Sequence, residues 1–396
     1  MIYDMLYIIN EKEFKNGHWG KKKNTALALE LKKKRIKYRE VETPEELCDI
    51  AIDDDIPVVV AMGLTKGWFS DIVKRCNMMN IRVIVAGDVT SNMLDCNCSS
   101  VISDIKNSAL DLYKYFTSYN KENVLLYSVN SASQFDMDLK KHIIDIFPDG
   151  KVDVIENCGD DDALMEKFFE NYRKYDAIVC TNDYSAIHLL NEIKRRDIAY
   201  LDKVFLVSFS NSLLARLYSP SITTFYESST GVEYIIKIYE LLTKNRNLSN
   251  IKFSVREYIK IRRTTQFCPY YYQTLDNSGK TDKSSSACVP APKTADDKKI
   301  RNVSESVLQL YDIENLLSGF DKTDYSILIL LMMGKSSLEM ERILYVSRGS
   351  IRYRISRMTE QLKLKSKYEL ADLFKQFIDV NELLLFTEEH FGTNGQ

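Results

Sequence analysis

From Arg348 to Lys367 seven Lys or Arg side chains stand against a single acid, Glu360. The whole chain of 396 residues carries 54 Lys+Arg against 56 Asp+Glu, a formal net charge of −2. Positive charge is therefore gathered into one short stretch of a nearly neutral protein, and a local basic surface is what attraction to a phosphate backbone requires. Helical spacing divides the stretch. Ile351, Ile355, Met358 and Leu362 recur at three- and four-residue intervals and form a buried stripe. Arg348, Arg352, Tyr353, Ser356 and Thr359 then face outward, with Arg354 and Arg357 near the flanks. The chemistry on offer is hydrogen bonding to base edges and charge pairing with phosphates.

The preceding residues read as the elements that position this face. Asp321–Met333 is expected as an apolar-striped helix ended by Gly334, a natural C-terminal stop. Ser336 or Ser337 can cap the next helix, Leu338–Leu344, with Glu339 in its first turn where the helix dipole favours an acid. Tyr345-Val346 makes a tight turn, and Ser347 caps the basic helix. Two short helices with a tight turn and an exposed basic second member fit the major groove. The alternative is a basic helix on an interaction protein that docks an acidic protein partner, because charge runs are commonly solvated faces.

The segment from Phe320 to Leu370 resembles the LuxR/NarL/FixJ helix-turn-helix. Gly334, the Ser336-Ser337-Leu338-Glu339-Met340 start, Val346-Ser347, Ser350-Ile351-Arg352 and the tail Leu362–Lys367 fall at that family's spacing. Ser350 stands where the family usually has Thr, and Arg354 where it often has His. The Ile-Arg-Tyr-Arg-Ile run also looks like PucR-type regulators. The resemblance implies double-stranded DNA as partner, with Arg352, Tyr353 and Ser356 toward the bases, Arg348, Arg354, Arg357 and Lys365 on phosphates, and Ser350 among the DNA-binding residues.

Upstream, from Met5 to about Ile261, short apolar runs alternate with amphipathic stretches. Strands are expected at Met5–Ile9, Val58–Ala61, Ile81–Ala86, Val124–Val129, Val152–Ile155, Ala177–Cys180, Val204–Val207 and Ile222–Phe225. Strand then helix, repeated about eight times, implies parallel sheets covered on both faces and two similar lobes. The domain reading is α/β over residues 1–270, a flexible linker over 271–300, and all-α over 301–396 with its helix-turn-helix core at 320–372. Thr274–Lys299 has no aromatic residue and only Leu275 and Val289 as large apolar side chains. Asn302–Leu317 has Val303, Val307, Leu310 and Leu317 at heptad-like spacing, which could pair two C-terminal modules.

Several functions find no support in the residues. The sequence holds no GxxxxGK[ST] phosphate loop, no GxSxG elbow and no HExxH. Asp53–Asp55 and Asp160–Asp162 read as solvated acids. The eight cysteines are scattered and the four histidines supply no ligand spacing, so neither a metal nor a cofactor is expected. No run reaches the ~18 apolar residues of a membrane span. Met1–Asn10 carries Asp4 and lacks a basic leader, so it reads as a first buried strand of a cytoplasmic protein.

Parallel-sheet domains place ligands beyond the carboxyl ends of their strands. Here those ends bring Asn10, Asp88, Asn130, Asn182, Asp183, Ser210 and Asn211, and Trp19 or Trp68 could stack on a ligand. Asp176–Asp183 with Ala186, Val207–Ser212 with Ser219-Pro220, Ile222–Thr224, Gly231, Val101–Asp104 and Ile259–Thr265 resemble the LacI-family effector domain over about residues 1–266. The resemblance implies the two-lobed periplasmic-binding-protein fold, a ligand cleft at a hinge, and a homodimer formed through the lobes. Two sugar anchors of that family are missing. Ser210 stands where the family usually has Asp, and Tyr127 to His142 contains no Arg. A sugar effector is disfavoured; the expectation is either another small-molecule effector or lobes that serve only dimerisation. The combined expectation is a two-lobed α/β sensor followed by a small all-α helix-turn-helix domain. It would be a DNA-binding transcriptional regulator and no enzyme, in which ligand binding alters dimer geometry.

Overall fold

A computed structural model describes residues 5–47, 57–157, 159–227, 231–245, 247–266 and 305–392. The expected linker at 271–300 and the acid run Asp53–Asp55 lie outside the described residues. The chain divides into two compact units. The first takes Met1–Asn120, Val129–Val152 and Phe225–Ile259, and the second Lys121–Ser128, Asp153–Thr224 and Lys260–Gln396.

The elements begin with β1 (Met5–Asn10), α1 (Lys12–Asn16), α2 (His18–Lys34), β2 (Lys37–Glu40), β3 (Val58–Met62) and α3 (Lys66–Met78). Then come β4 (Arg82–Ala86), α4 (Ser91–Leu94), β5 (Ser99–Ser103), α5 (Ile105–Ser118), β6 (Val124–Val129), α6 (Gln134–Ile146) and β7 (Val152–Glu156). They continue with α7 (Asp161–Asn171), β8 (Ala177–Cys180), α8 (Asp183–Arg196), β9 (Phe205–Phe209), α9 (Leu213–Leu217), β10 (Thr223–Glu227) and α10 (Val232–Lys244). Two strands, β11 (Lys252–Val255) and β12 (Glu257–Lys260), close the α/β part. The C-terminal helices are α11 (Glu305–Ser318), α12 (Lys322–Met332), α13 (Ser337–Leu344), α14 (Arg348–Gln361), α15 (Lys367–Phe377) and α16 (Val380–Phe391).

The described residues form two six-stranded sheets, in the orders β11-β5-β4-β3-β1-β2 and β12-β10-β9-β8-β6-β7. In the first sheet β1 pairs in parallel with β2 and β3, β4 with β3 and β5, and β11 with β5. In the second, β8 pairs in parallel with β6 and β9. Successive side chains of a strand point to opposite faces. Leu6, Ile8, Val58, Val60 and Ile84 accordingly pack with Leu27, Leu31 and Ile235 from α2 and α10. Tyr7, Ile9, Val59, Ala61, Val83 and Val85 pack on the other face with Phe69, Ile72 and Val73 of α3. Burial on both faces is why these strands read as continuous apolar runs. The edge strands β2 and β11 escaped that reading, since β2 is exposed throughout and β11 carries Lys252 and Ser254 between its apolar residues.

The C-terminal helices among the described residues belong to the second unit. Tyr311 on α11 meets Tyr184 on α8 edge to face, with ring centroids 4.3 Å apart. Glu314 on the same helix accepts hydrogen bonds from the backbone N–H groups of Leu213 and Leu214 at 2.8 and 2.6 Å. Arg263 pairs with Glu382 at 2.7 Å, the Arg216 guanidinium lies over the Phe386 ring, and Ser219 donates its N–H to the Phe377 carbonyl at 3.0 Å. The expectation that α11 pairs two modules is corrected here. Leu310, Ile313, Leu316 and Leu317 are buried within this chain, so the apolar face is already used. Val303 and the Val307 side chain lie outside the described residues.

Gly87, at the end of β4, is a close approach that only glycine permits. A Cβ there would sit 2.7 Å from the Phe69 ring and 2.9 Å from the Gly63 carbonyl oxygen, whereas one at Gly67 in α3 would meet nothing within 4 Å. Gly87→Ala is expected to destabilise the first unit by ~1–3 kcal/mol through overpacking. Gly67→Ala should be neutral or stabilising by up to ~1 kcal/mol. Urea denaturation of the two variants checks both.

Candidate nucleic-acid interface and strand-end loops

Local sequence sets the C-terminal helices in place. Asp321 caps α12 in a reciprocal box with Asp324, and Ser336 caps α13 in a reciprocal box with Glu339. Gly334 (φ 77°) and Tyr345 (φ 54°) take the left-handed conformation that stops each helix. Ser347 then caps α14, accepting from the Ser350 N–H at 3.3 Å. A three-residue turn thus joins α13 to α14. Ile351 and Met358 are fully buried and Ile355 nearly so, which fixes the rotation of α14.

That rotation sorts the candidate contacts. Arg352, Tyr353 and Ser356 are exposed, Tyr353 by 69%. Arg352 makes no ion pair among the described residues, and Ser356 donates its hydroxyl to Glu360 at 2.8 Å. Ser350 is half-buried near the cap. Arg348 is exposed but paired with Glu341 at 2.8 Å. Lys365 is exposed, and its backbone N–H donates to Glu369. Ser337, Arg352, Ser356, Lys365, Ser366 and Lys367 line a concave surface of about 410 Å³. Ser366 is the cap of α15, so the amino end of that helix opens here.

Arg354 and Arg357, expected to hold phosphates, form ion pairs within the module. Arg354 contacts both Asp321 and Asp324, at 2.8 and 2.7 Å, and the hydrogen bonds it donates to these two acids raise its pKa. Arg357 reaches the other oxygen of Asp324 at 2.7 Å. Asp324 is only 2% exposed, so it cannot do without these partners. The two arginines bind α14 to the start of α12. The only hint in the sequence was the pair of acids at 321 and 324, which reads equally well as capping alone.

The strand-end residues fall into both units. In the first, Asn10 exchanges hydrogen bonds with Asn24, Asp88 accepts the Ser103 N–H at 2.8 Å, and Asn130 accepts the Ala132 N–H at 2.9 Å. Trp68 is half-buried and packs edge-on against Phe69. Trp19 lies in α2, with its side chain outside the described residues. In the second unit Asn182 caps α8, and Asn211 accepts from Arg262. Ser210 is half-buried. Asp183, expected to face a ligand, has no exposed surface; it accepts from Ser208, the Ser212 N–H and Thr224. Its role is internal.

Sequence reading passed over Glu227 and Glu257 in the first unit. Glu257 is 6% exposed and accepts the Ser108 hydroxyl at 2.8 Å. Burial pushes its carboxyl up to about 8, the Ser108 bond opposes this, and the charges of Glu227, Asp88 and Asp104 add to the rise. Nothing in the spacing marks these acids, because their neighbours come from distant segments. Among the described residues no group of side chains is arranged to hold a metal ion, and no helix is long and apolar enough to cross a membrane.

No protein-family model matches the chain, and no curated protein matches it in sequence. Solved structures do match. One is the transcriptional regulator CelR in complex with cellobiose, at TM-score 0.52 and 11% identity, covering 66% of this chain and 84% of that one. A putative LacI transcriptional regulator from Bacillus cereus subsp. cytotoxis NVH 391-98 superposes at 0.52 and 15% identity, over 66% of this chain and 98% of its own. The transcription regulator CcpA of Lactococcus lactis gives 0.51 and 14%, over 66% and 99%. The likeness is one of fold: two α/β sheets of mostly parallel strands in the periplasmic-binding-protein-like, two-lobed architecture of LacI-family regulators. These structural neighbours are transcriptional regulators rather than enzymes.

Asp324→Ala is expected to cost the second unit ~2–3 kcal/mol, less than a wholly buried pair because both arginines keep some water contact. Arg352→Ala should change stability by less than ~0.5 kcal/mol. Chemical denaturation of the two variants compares them. Glu257 predicts a pH dependence. Its folded pKa of about 8 lies above the ordinary 4.5, so its contribution is complete below pH 4.5 and is lost as pH rises toward 8. Denaturation midpoints at pH 5 and 8 should differ less in Glu257→Gln than in the parent chain.

Proposed function

We propose that the chain is a sequence-specific DNA-binding transcriptional regulator, with a LuxR/NarL-type helix-turn-helix at its C-terminus and α/β lobes that sense a small molecule. The observation that carries this reading is the exposed Arg352-Tyr353-Ser356 face of α14, anchored by its buried stripe and bordered by a concave surface bearing Lys365, Lys367 and the capped start of α15. Arg352 and Ser356 supply donors for base edges, and Tyr353 supplies an apolar face for thymine methyl groups. The lysines and the amino end of α15 suit backbone phosphates.

The fold of LacI-family regulators supports the sensing role. Similar structures include complexes with cellobiose, D-xylulofuranose and glucose. In this chain Ser210 replaces the acid that the LacI resemblance would place there, and the segment from Tyr127 to His142 offers no guanidinium. A site built to grip sugar hydroxyls loses heavily when such partners are missing, so an effector other than a sugar fits better. Such regulators work as homodimers on paired half-sites, and we assign a homodimer here on that ground.

The test is selection of genomic DNA fragments by the purified full-length protein, beside the double variant Arg352→Ala/Tyr353→Ala, at ~50–100 mM salt where phosphate contacts persist. Enrichment of one paired motif by the parent chain, lost in the variant, is the expected result. Equal, motif-free recovery by both proteins would instead assign the basic helix to an acidic protein partner.

A further inference from the structure

The turn Ser210–Leu214, between β9 and α9, is held in an unusual way. Ser210 (φ 110°) and Asn211 (φ 51°) both have positive φ, a conformation that L residues keep only where their surroundings impose it. Asn211 donates its N–H to Thr224 at 3.2 Å, and its side chain accepts from Arg262. Thr224 in turn donates to Asp183 at 3.0 Å. The next three amides are shared between two buried carboxylates from different helices. Ser212 donates to Asp183, while Leu213 and Leu214 donate to Glu314. Asp183 is fully buried and Glu314 is 3% exposed.

Each peptide plane is rigid and joins the next only through φ and ψ at the shared α-carbon. The Ser212 and Leu213 amides meet at the Ser212 α-carbon and both are hydrogen-bonded, so freeing Ser212 from Asp183 strains the amides that hold Glu314 unless φ and ψ at Ser212 compensate. A second contact runs alongside, since Tyr184, which follows Asp183, packs on Tyr311 one turn before Glu314. Beyond them α11 packs against α14, the helix carrying Arg352.

We propose that the Ser210–Leu214 turn is a relay through which the strand-end loops of the second unit control the C-terminal helices. A small molecule touching Ser210 or Asn211 resets the turn, and the turn resets α11 through the Glu314 carboxylate. Control then passes through a packed, hydrogen-bonded contact rather than through the connecting residues. The regulatory meaning rests on the DNA-binding reading above, but the contact itself can be tested without DNA.

The experiment places a specific protease site after Lys283 in the full chain, cleaves it, and measures by gel filtration over a dilution series whether the C-terminal fragment stays with the rest. Co-elution of the two fragments is expected for the parent sequence. Glu314→Gln and Leu213→Pro should each weaken retention by about tenfold to a hundredfold, the range for losing a hydrogen bond to a buried charge. Pro suits position 213, because Ser212 is already extended (φ −60°, ψ 157°) and the first turn of a helix tolerates it. One variant leaves the C-terminal helices unaltered and the other leaves α9 unaltered, so loss in both cannot come from misfolding of one partner. Asp183→Asn, at a carboxylate that accepts from Ser208, Ser212 and Thr224 and not from the C-terminal helices, should weaken retention as well. Release of the parent fragment, or full retention by both Glu314→Gln and Leu213→Pro, would overturn the contact. Weakening by those two with no effect of Asp183→Asn would leave a static dock and overturn the relay.

Discussion

A carboxylate taken out of water must find donors inside the protein, and the second unit is organised around three that have done so. Asp183 and Glu314 draw on the amides of one turn, and Asp324 on two guanidinium groups. Desolvating a charge costs several kcal/mol even after relaxation, so none of these acids is stable where it lies until a distant segment has come into place. Glu314 bonds to residues about a hundred positions earlier. Its burial joins α11 to the compact unit that contains β8, β9 and α9.

The elements were far easier to read than the partnerships. β3 and β4 sit inside a parallel sheet, so nearly every residue is apolar and the run declares itself. The edge strands β2 and β11 need only one protected side, and their residues carry no such pattern. In the C-terminal helices each boundary is written locally: Asp321, Ser336 and Ser347 begin helices, and Gly334 lets one end. Capping acts over three residues and is visible in a sequence. The ion pairs of Arg354 and Arg357 join residues some thirty apart, and only the folded chain shows them.

This difference changes how the basic stretch is understood. By helical spacing Arg352 faces outward and Arg354 and Arg357 lie near the flanks, and all three count equally toward the basic charge. In the fold, Arg354 and Arg357 are structural cations that clamp α14 to α12, while Arg352 and Tyr353 project outward from a helix whose rotation the clamp fixes. Neutralised charge contributes little to long-range attraction, so the outward residues and the lysines near α15 supply most of the field a phosphate would feel. The strand-end loops divide similarly. Asp183 has become internal scaffolding, and Ser210, the first residue of the positive-φ turn, remains half-buried just beyond β9.

The position of Glu314 also bears on how such proteins can be recombined. A boundary chosen by composition would fall in residues 271–300, and everything after it would be treated as a cassette to be exchanged between sensors. The carboxylate on α11 fits one particular turn on its own α/β partner. A cassette moved to another α/β partner would carry a buried negative charge with no amides to receive it. Successful chimaeras would have to transplant α11 together with α9 and the loop before it, so the heritable module crosses the apparent domain border.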